Sequence, residues 1–252
     1  NITLIQADLV WNDPATNRNR FEREIFAVGE TDLVVLPEMF PTGCTRPREA
    51  AEPDGGPTLA WMRRTARKKG AALAGSVAVE QDGRYFNRFY FVRPDGATVH
   101  YDKRHLFTYG GEHKEYTGGD RRVIAEYKGW RILLQVCYDL RFPVWSRNRD
   151  DYDMILYVAS WPTPRVEAWS ALLKARAIEN VCYVAGVNRV GDDPNCNYCG
   201  GTVLLDFLGK PLADAGTGTA GDASAEADKI SLTTFREKFP ALQDADPFTL
   251  NI

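Results

Sequence analysis

Hydrophobic and polar positions along the chain alternate between short apolar runs and longer stretches with helical spacing. Ile2 to Ala7 reads as a strand, Arg18 to Gly29 as a helix, and 32-DLVVL-36 as a fully apolar strand stopped by Pro37. Pro57 opens a helix that Gly70 closes, since proline suits the first helical turn and glycine the left-handed position past the last. Three strand candidates follow, Ala71 to Glu80, Arg84 to Val92 and Ala97 to Tyr101. The turns QDG and PDG between them predict an antiparallel meander. A polar, glycine-rich loop runs from Thr108 to Asp120. Strands near Val123 to Tyr127 and Arg131 to Val136, a short helix after Pro143 and a buried strand at Asp153 to Ala159 come next. Over 166–180, Val166, Trp169, Leu172, Leu173, Ala177 and Ile178 fall on one helical face, and Val181 to Val187 returns to strand. Ala213 to Ala225, rich in small residues, reads as a surface loop. Alternating elements favour a layered α/β fold, and with no linker or low-complexity break they predict a single domain over residues 1–252.

Bulk properties narrow the class. The 252 residues carry a formal charge of -3, with a pI near 5.7 and a mean hydropathy of -0.36. That balance suits a globular protein and argues against a general nucleic-acid partner, which needs a basic excess on one face. The cluster Arg63, Arg64, Arg67, Lys68 and Lys69 reads as the solvated face and basic end of a helix. No apolar run approaches the roughly 18 residues of a membrane span, and the N-terminal residues do not read as a secretory signal. Five cysteines at irregular spacing (44, 137, 182, 196, 199) do not make a disulfide framework, so a reducing cytoplasm is expected.

Candidate chemistry lies at strand ends. Glu38 follows DLVVL, Lys103 follows the Ala97 to Tyr101 strand, and Cys137 follows 131-RILLQV-136. In α/β sheets the carboxyl ends of strands are where side chains converge on ligands without interrupting the core. A free thiol, with a pKa of about 8.5, is mostly protonated at neutral pH, so a nucleophilic cysteine requires a base or a cation beside it. Glu38 supplies the base and Lys103 the cation, which would also stabilise charge developing on an attacked carbonyl or nitrile. The N–H after Cys137 is a second donor. Taken singly, Cys137 reads as a core cysteine, Lys103 as a surface lysine and Glu38 as a turn carboxylate. Their joint placement points to a site.

Four segments, 36-LPEMFPTG-43, 101-YDKRHLF-107, 135-QVCYDLRFP-143 and 174-KARAIEN-180, resemble the nitrilase or carbon-nitrogen hydrolase superfamily. They occur in the family's order, with 65 residues (103 minus 38) and 34 residues (137 minus 103) between the three reactive positions. The resemblance implies a four-layer αββα sandwich, a Glu38-Lys103-Cys137 triad, a small-molecule amide substrate, no cofactor, no metal, and homodimers. It also implies a second glutamate after the lysine, for which Glu112 is the assignment and Glu115 the competitor.

The wording PEMFPTG, CYDLRFPVW and 157-YVASWP-162 resembles the ω-amidase branch, which hydrolyses the terminal amide of 2-oxo dicarboxylic acid monoamides such as 2-oxoglutaramate and 2-oxosuccinamate. Arg141, four residues past Cys137, is either a carboxylate anchor or a structural partner of Asp139 or the Glu38 loop. Phe40, Tyr109, Tyr138 and Trp161 are candidate pocket walls. Cys44 and Cys199 depart from the family's wording and bear on pocket shape. Rival readings are other family reactions (N-carbamoyl amino acid hydrolysis, simple aliphatic amidase, nitrilase), a cysteine-histidine enzyme using His100, His105 or His113, and a zinc-binding module built on Cys196 and Cys199.

Overall fold

Period-2 alternation decides how the layers stack. The computed structural model describes residues 1–250. Two mixed sheets lie face to face with helices on their outer surfaces, the expected four-layer αββα arrangement. In Leu33–Val35, Leu33 and Val35 point into the core between the sheets, while Val34 packs outward against the helices. Leu134 and Val136 face the inter-sheet core, whereas Leu133 turns to the outer helix. These central strands are therefore covered on both faces, which is why they read as continuous apolar runs.

The first sheet runs in the order Gly221–Ala225, Ile2–Gln6, Leu33–Val35, Ala72–Gln81, Arg84–Val92 and Thr98–Asp102, with the last three forming the expected antiparallel meander. The helices Pro14–Ala27 and Pro57–Lys69 cover it. The second runs Pro211–Asp214, Val203–Leu205, Tyr183–Asn188, Met154–Ala159, Trp130–Val136 and Ile124–Tyr127, covered by helix Val166–Asn180. Its centre is parallel, so the ends of Trp130–Val136 and Met154–Ala159 emerge side by side.

Several boundaries differ from the sequence expectation for identifiable reasons. The first helix begins at Pro14, ahead of Arg18, because the Asp13 carboxylate accepts the Thr16 N–H at 3.0 Å and caps it. On Val166–Asn180 the buried face carries Trp169, Leu173, Arg176 and Ala177, and Ile178 is 52% exposed. Arg176 is drawn inside by the Leu140 carbonyl, which accepts from its guanidinium at 2.6 Å. Val181 adopts φ 44 as the helix cap, so the following strand starts at Tyr183. The expected loop Ala213 to Ala225 instead contributes residues to both sheet edges: Pro211–Asp214 pairs with Val203–Leu205, and Gly221–Ala225 pairs with Ile2–Gln6. Small residues carry little strand propensity, and the partner strands' free hydrogen-bonding groups supply the order.

The loop 107–119 closes over the end of Thr98–Asp102 through Gly119, whose N–H donates to the Lys103 carbonyl at 2.9 Å. A Cβ at Gly119 would lie 2.1 Å from the Asp102 carbonyl oxygen, a backbone atom that cannot yield. Gly119→Ala is therefore expected to lower stability by about 1–3 kcal/mol. Urea denaturation checks this; an unchanged midpoint would show that the loop does not depend on this close approach.

Candidate active site

Glu38 lies just beyond the Leu33–Val35 strand, where Pro37 ends the extended run and Met39 turns the chain at φ 48. The Met39 N–H donates to Ser76 Oγ at 2.9 Å and anchors that turn. The Glu38 side chain is 2% exposed and held at both oxygens. Asn87 Nδ2 donates to Oε1 at 2.8 Å, Lys103 Nζ donates to the same oxygen at 3.1 Å, and the Ser160 N–H donates to Oε2 at 2.8 Å.

Lys103 emerges from the end of Thr98–Asp102 and is also buried. Its ammonium donates to both oxygens of Glu112, at 3.0 and 2.9 Å. Glu112 Oε2 in turn accepts the Phe107 N–H at 2.6 Å. Glu115, the competing second glutamate, is exposed and makes no such contact. Burial alone would push the lysine pKa down, but Glu112 and Glu38 together hold it well above the ordinary value. The group is an ammonium throughout the neutral range.

Cys137 opens a short 3-10 turn, Cys137–Arg141, immediately after Trp130–Val136, with φ 45. A left-handed conformation costs a residue with a Cβ about 1–3 kcal/mol, so the surroundings must hold it. Asp139, fully buried, does so: Oδ2 accepts the Val136 N–H at 3.0 Å and the Tyr101 hydroxyl at 2.8 Å. Its Oδ1 accepts the His105 N–H at 3.0 Å and faces His105 Nδ1 at 2.7 Å, where the carboxylate can only accept. The Tyr101 hydroxyl also receives the Arg104 N–H and Trp145 Nε1, each at 3.0 Å. Tyr101 and Arg104 flank Lys103, so one network fixes the turn that carries Cys137 and the lysine's strand end together. The thiol pKa is driven well above its usual value, first by burial and then by the Glu38 carboxylate, with Lys103 opposing. The resting sulfur is thus a neutral thiol.

Glu38, Asn87, Lys103, Glu112, Cys137 and Ser160 line a cavity of about 510 Å³, with Glu38 and Lys103 as its buried floor. Tyr138, Arg141 and Trp161 line it as expected, and Cys44 does too. Two expected wall residues are elsewhere. Phe40 is fully buried in the outer core, edge-on to Phe21 at 5.5 Å and tilted against Trp61 at 5.7 Å, because its neighbours in the turn leave only the helix side open. Tyr109 is 88% exposed on the surface of its loop, where its ring lies against Phe107 at 5.8 Å and does not line the cavity. Cys199 is also off the cavity, in the small ribbon formed by Val190–Asp192 and Asn197–Cys199. Arg141 pairs with neither Asp139 nor the Glu38 loop; its guanidinium lies over the Trp161 ring at 5.1 Å. No histidine lines the cavity among the described residues, and His105 is stacked on Phe142 at 3.8 Å as part of the Asp139 network. Among the described residues Cys196 and Cys199 gather no third metal-binding group.

Sequence reasoning missed Asn87, Ser160 and Asp139. Ser160 carried the same signal as the triad, a polar residue directly after the MILYVA strand. Asn87 and Asp139 carried none, since one sits within an alternating strand and the other in a turn where aspartate is common.

Residues 1–237 match the family described as carbon-nitrogen hydrolase. The chain belongs to that family. It is 48% identical over 251 residues to a Yersinia enterocolitica protein named Omega-amidase YafV, covering 99% of this chain and 98% of that protein. The 2-oxoglutaramate amidase of Bacillus subtilis is 34% identical, with 96% of each chain covered. A solved carbon-nitrogen hydrolase superfamily protein from Xanthomonas campestris, with an arsenic adduct in its active site, superimposes with a TM-score of 0.96 at 45% identity over 99% of this chain and 98% of that one.

The neutral resting thiol has a measurable consequence. The ultraviolet thiolate signal lost on replacing Cys137 by serine should be absent at neutral pH and emerge only above the usual thiol range, because burial and Glu38 both favour the protonated form. A thiolate already present near pH 7 would contradict this arrangement.

Proposed function

We propose that this protein is an ω-amidase that hydrolyses the terminal amide of small 2-oxo dicarboxylic acid monoamides, such as 2-oxoglutaramate and 2-oxosuccinamate, to the acid and ammonia. The observation that carries the chemistry is the Glu38 carboxylate, fixed at both oxygens by Asn87, Lys103 and Ser160 and set beside the half-buried Cys137 thiol in one cavity. The named relatives, at 48% and 34% identity, support the substrate class.

In this reading Glu38 takes the Cys137 proton as sulfur attacks the amide carbon. The Lys103 ammonium and the Tyr138 N–H stabilise the oxyanion, charge that is absent in the ground state. Glu38 then passes its proton to the departing nitrogen, the C–N bond breaks, and ammonia leaves a thioester on Cys137. A water enters, Glu38 removes its proton, hydroxide displaces sulfur to release the acid, and Glu38 returns the proton to sulfur to restore the thiol. Glu112 keeps Lys103 charged and positioned through both halves. Arg141, paired with no carboxylate among the described residues and held over Trp161, receives the substrate carboxylate. The protein works as one domain. Five unpaired cysteines support a reducing, cytoplasmic setting, and the family resemblance supports a homodimer.

Ammonia release from a panel of ω-amides, N-carbamoyl amino acids and nitriles tests the reading. The 2-oxo acid monoamides should lead the panel, and Cys137→Ala should reduce their turnover to background. Equal rates on simple aliphatic amides would overturn the substrate class. Arg141→Ala should raise KM for carboxylate-bearing amides roughly tenfold to a hundredfold, the worth of a charge-assisted hydrogen bond, and leave uncharged amides unaffected. Matching effects on both would make Arg141 a structural residue.

A further inference from the structure

Besides Arg141, the cavity wall carries a cation that the hydrolytic steps do not use. Arg165 lines the cavity, and its guanidinium lies over the Phe107 ring at 5.3 Å, facing an aromatic surface instead of a carboxylate. Its backbone is equally well placed, because its carbonyl accepts from Trp161 Nε1 at 2.7 Å. Trp161 is itself buried, with its N–H donating to Asn188 Oδ1 at 2.7 Å. One indole thus carries the Arg141 guanidinium on its face and the Arg165 main chain on its edge. The Phe107 beneath Arg165 donates its N–H to Glu112, the partner of Lys103. Arg165 is therefore located relative to the floor by two separate connections.

The charges of the cavity are layered. On the floor, the Lys103 ammonium is shared between two carboxylates, Glu38 and Glu112. Nearer solvent, Arg46 and Arg141 are exposed and Arg165 is half-buried, with Glu115 and Asp193 as the other carboxylates of the lining. Asp193 is already engaged, accepting the Tyr198 hydroxyl at 2.6 Å and the Asn195 and Cys196 N–H groups at 2.8 and 2.9 Å. A negatively charged substrate end is repelled by the floor and attracted by the wall, so an ω-amide acid enters amide first.

We propose that Arg165 is a specificity-determining residue that works with Arg141 to hold the 2-oxo acid end of the substrate. This rests on the amidase reading of the same cavity. Two guanidinium groups offer only donors, which match the acceptors of a carboxylate and an adjacent 2-oxo group. A 2-amino acid amide presents an ammonium at that position, with like charge facing two cations and no acceptor to receive their N–H groups. Arg165 consequently discriminates 2-oxoglutaramate from glutamine, the same carbon chain with a different second substituent.

Steady-state kinetics of the full chain on 2-oxoglutaramate, glutamine and uncharged pentanamide tests this with two variants. Arg165→Met keeps an unbranched stem against Phe107 and removes the charge. It should raise KM for 2-oxoglutaramate roughly tenfold to a hundredfold with kcat within about threefold, leave pentanamide unchanged, and shrink the preference for 2-oxoglutaramate over glutamine. Arg165→Lys should recover part of the lost KM. Equal losses on the charged and uncharged amides, or no loss on either, would overturn the role of Arg165 while leaving the amidase reading intact. A wild-type enzyme that handles pentanamide as well as 2-oxoglutaramate would instead refute the substrate class itself.

Discussion

The site depends on a buried carboxylate that takes no part in the chemistry. Asp139 has no exposed surface, and its side-chain oxygens are tolerable there only because donors surround them. Val136, Tyr101 and His105 supply them from two different sheets. The same contacts hold Cys137 at φ 45 and place Tyr101 and His105 on either side of Lys103. The position of Cys137 relative to Lys103 is thus set by a hydrogen-bond network rather than by a direct contact between them. Loosening the network would release both, because the backbone conformation of Cys137 is unfavourable without it.

Within that frame the ionisation states follow from burial and pairing. Lys103 stays charged because two carboxylates outweigh the desolvation that would neutralise it, and Cys137 stays neutral because burial and Glu38 outweigh Lys103. Glu38 is anchored at both oxygens, which fixes its carboxylate in place. The carboxylate, the ammonium and the thiol are therefore held in set positions before any ligand arrives. Aromatic faces play the corresponding part on the wall, where Trp161 and Phe107 position guanidinium groups while leaving their donors free for an anion.

Much of this was legible in the amino-acid order. The apolar runs and their terminators located most strands and the helices Pro57–Lys69 and Val166–Asn180, because burial on both faces leaves continuous hydrophobic segments. Strand ends then located Glu38, Lys103 and Cys137, and the same rule would have found Ser160. The edge strands around Pro211–Asp214 and Gly221–Ala225 were not legible, since their order comes from partner strands far away in the chain. Phe40 and Tyr109 looked like pocket walls only because sequence proximity to Glu38 and Lys103 does not say which way a turn sends the next side chain.

The sequence by itself determined the chemical inventory: a thiol, a carboxylate and an ammonium at the ends of strands, in an order that resembles one family. It also determined the two-face burial that makes a layered sandwich. Tertiary structure alone decided that Glu112, and not Glu115, holds Lys103, that Asp139 serves the backbone and leaves Arg141 free, and that Arg165 joins Arg141 on one wall. The reason is physical. Hydrophobic periodicity is a local property of the chain, whereas hydrogen-bond partners and charge layering arise only when segments distant in sequence, such as Glu38 and Ser160, are brought within about 3 Å of each other.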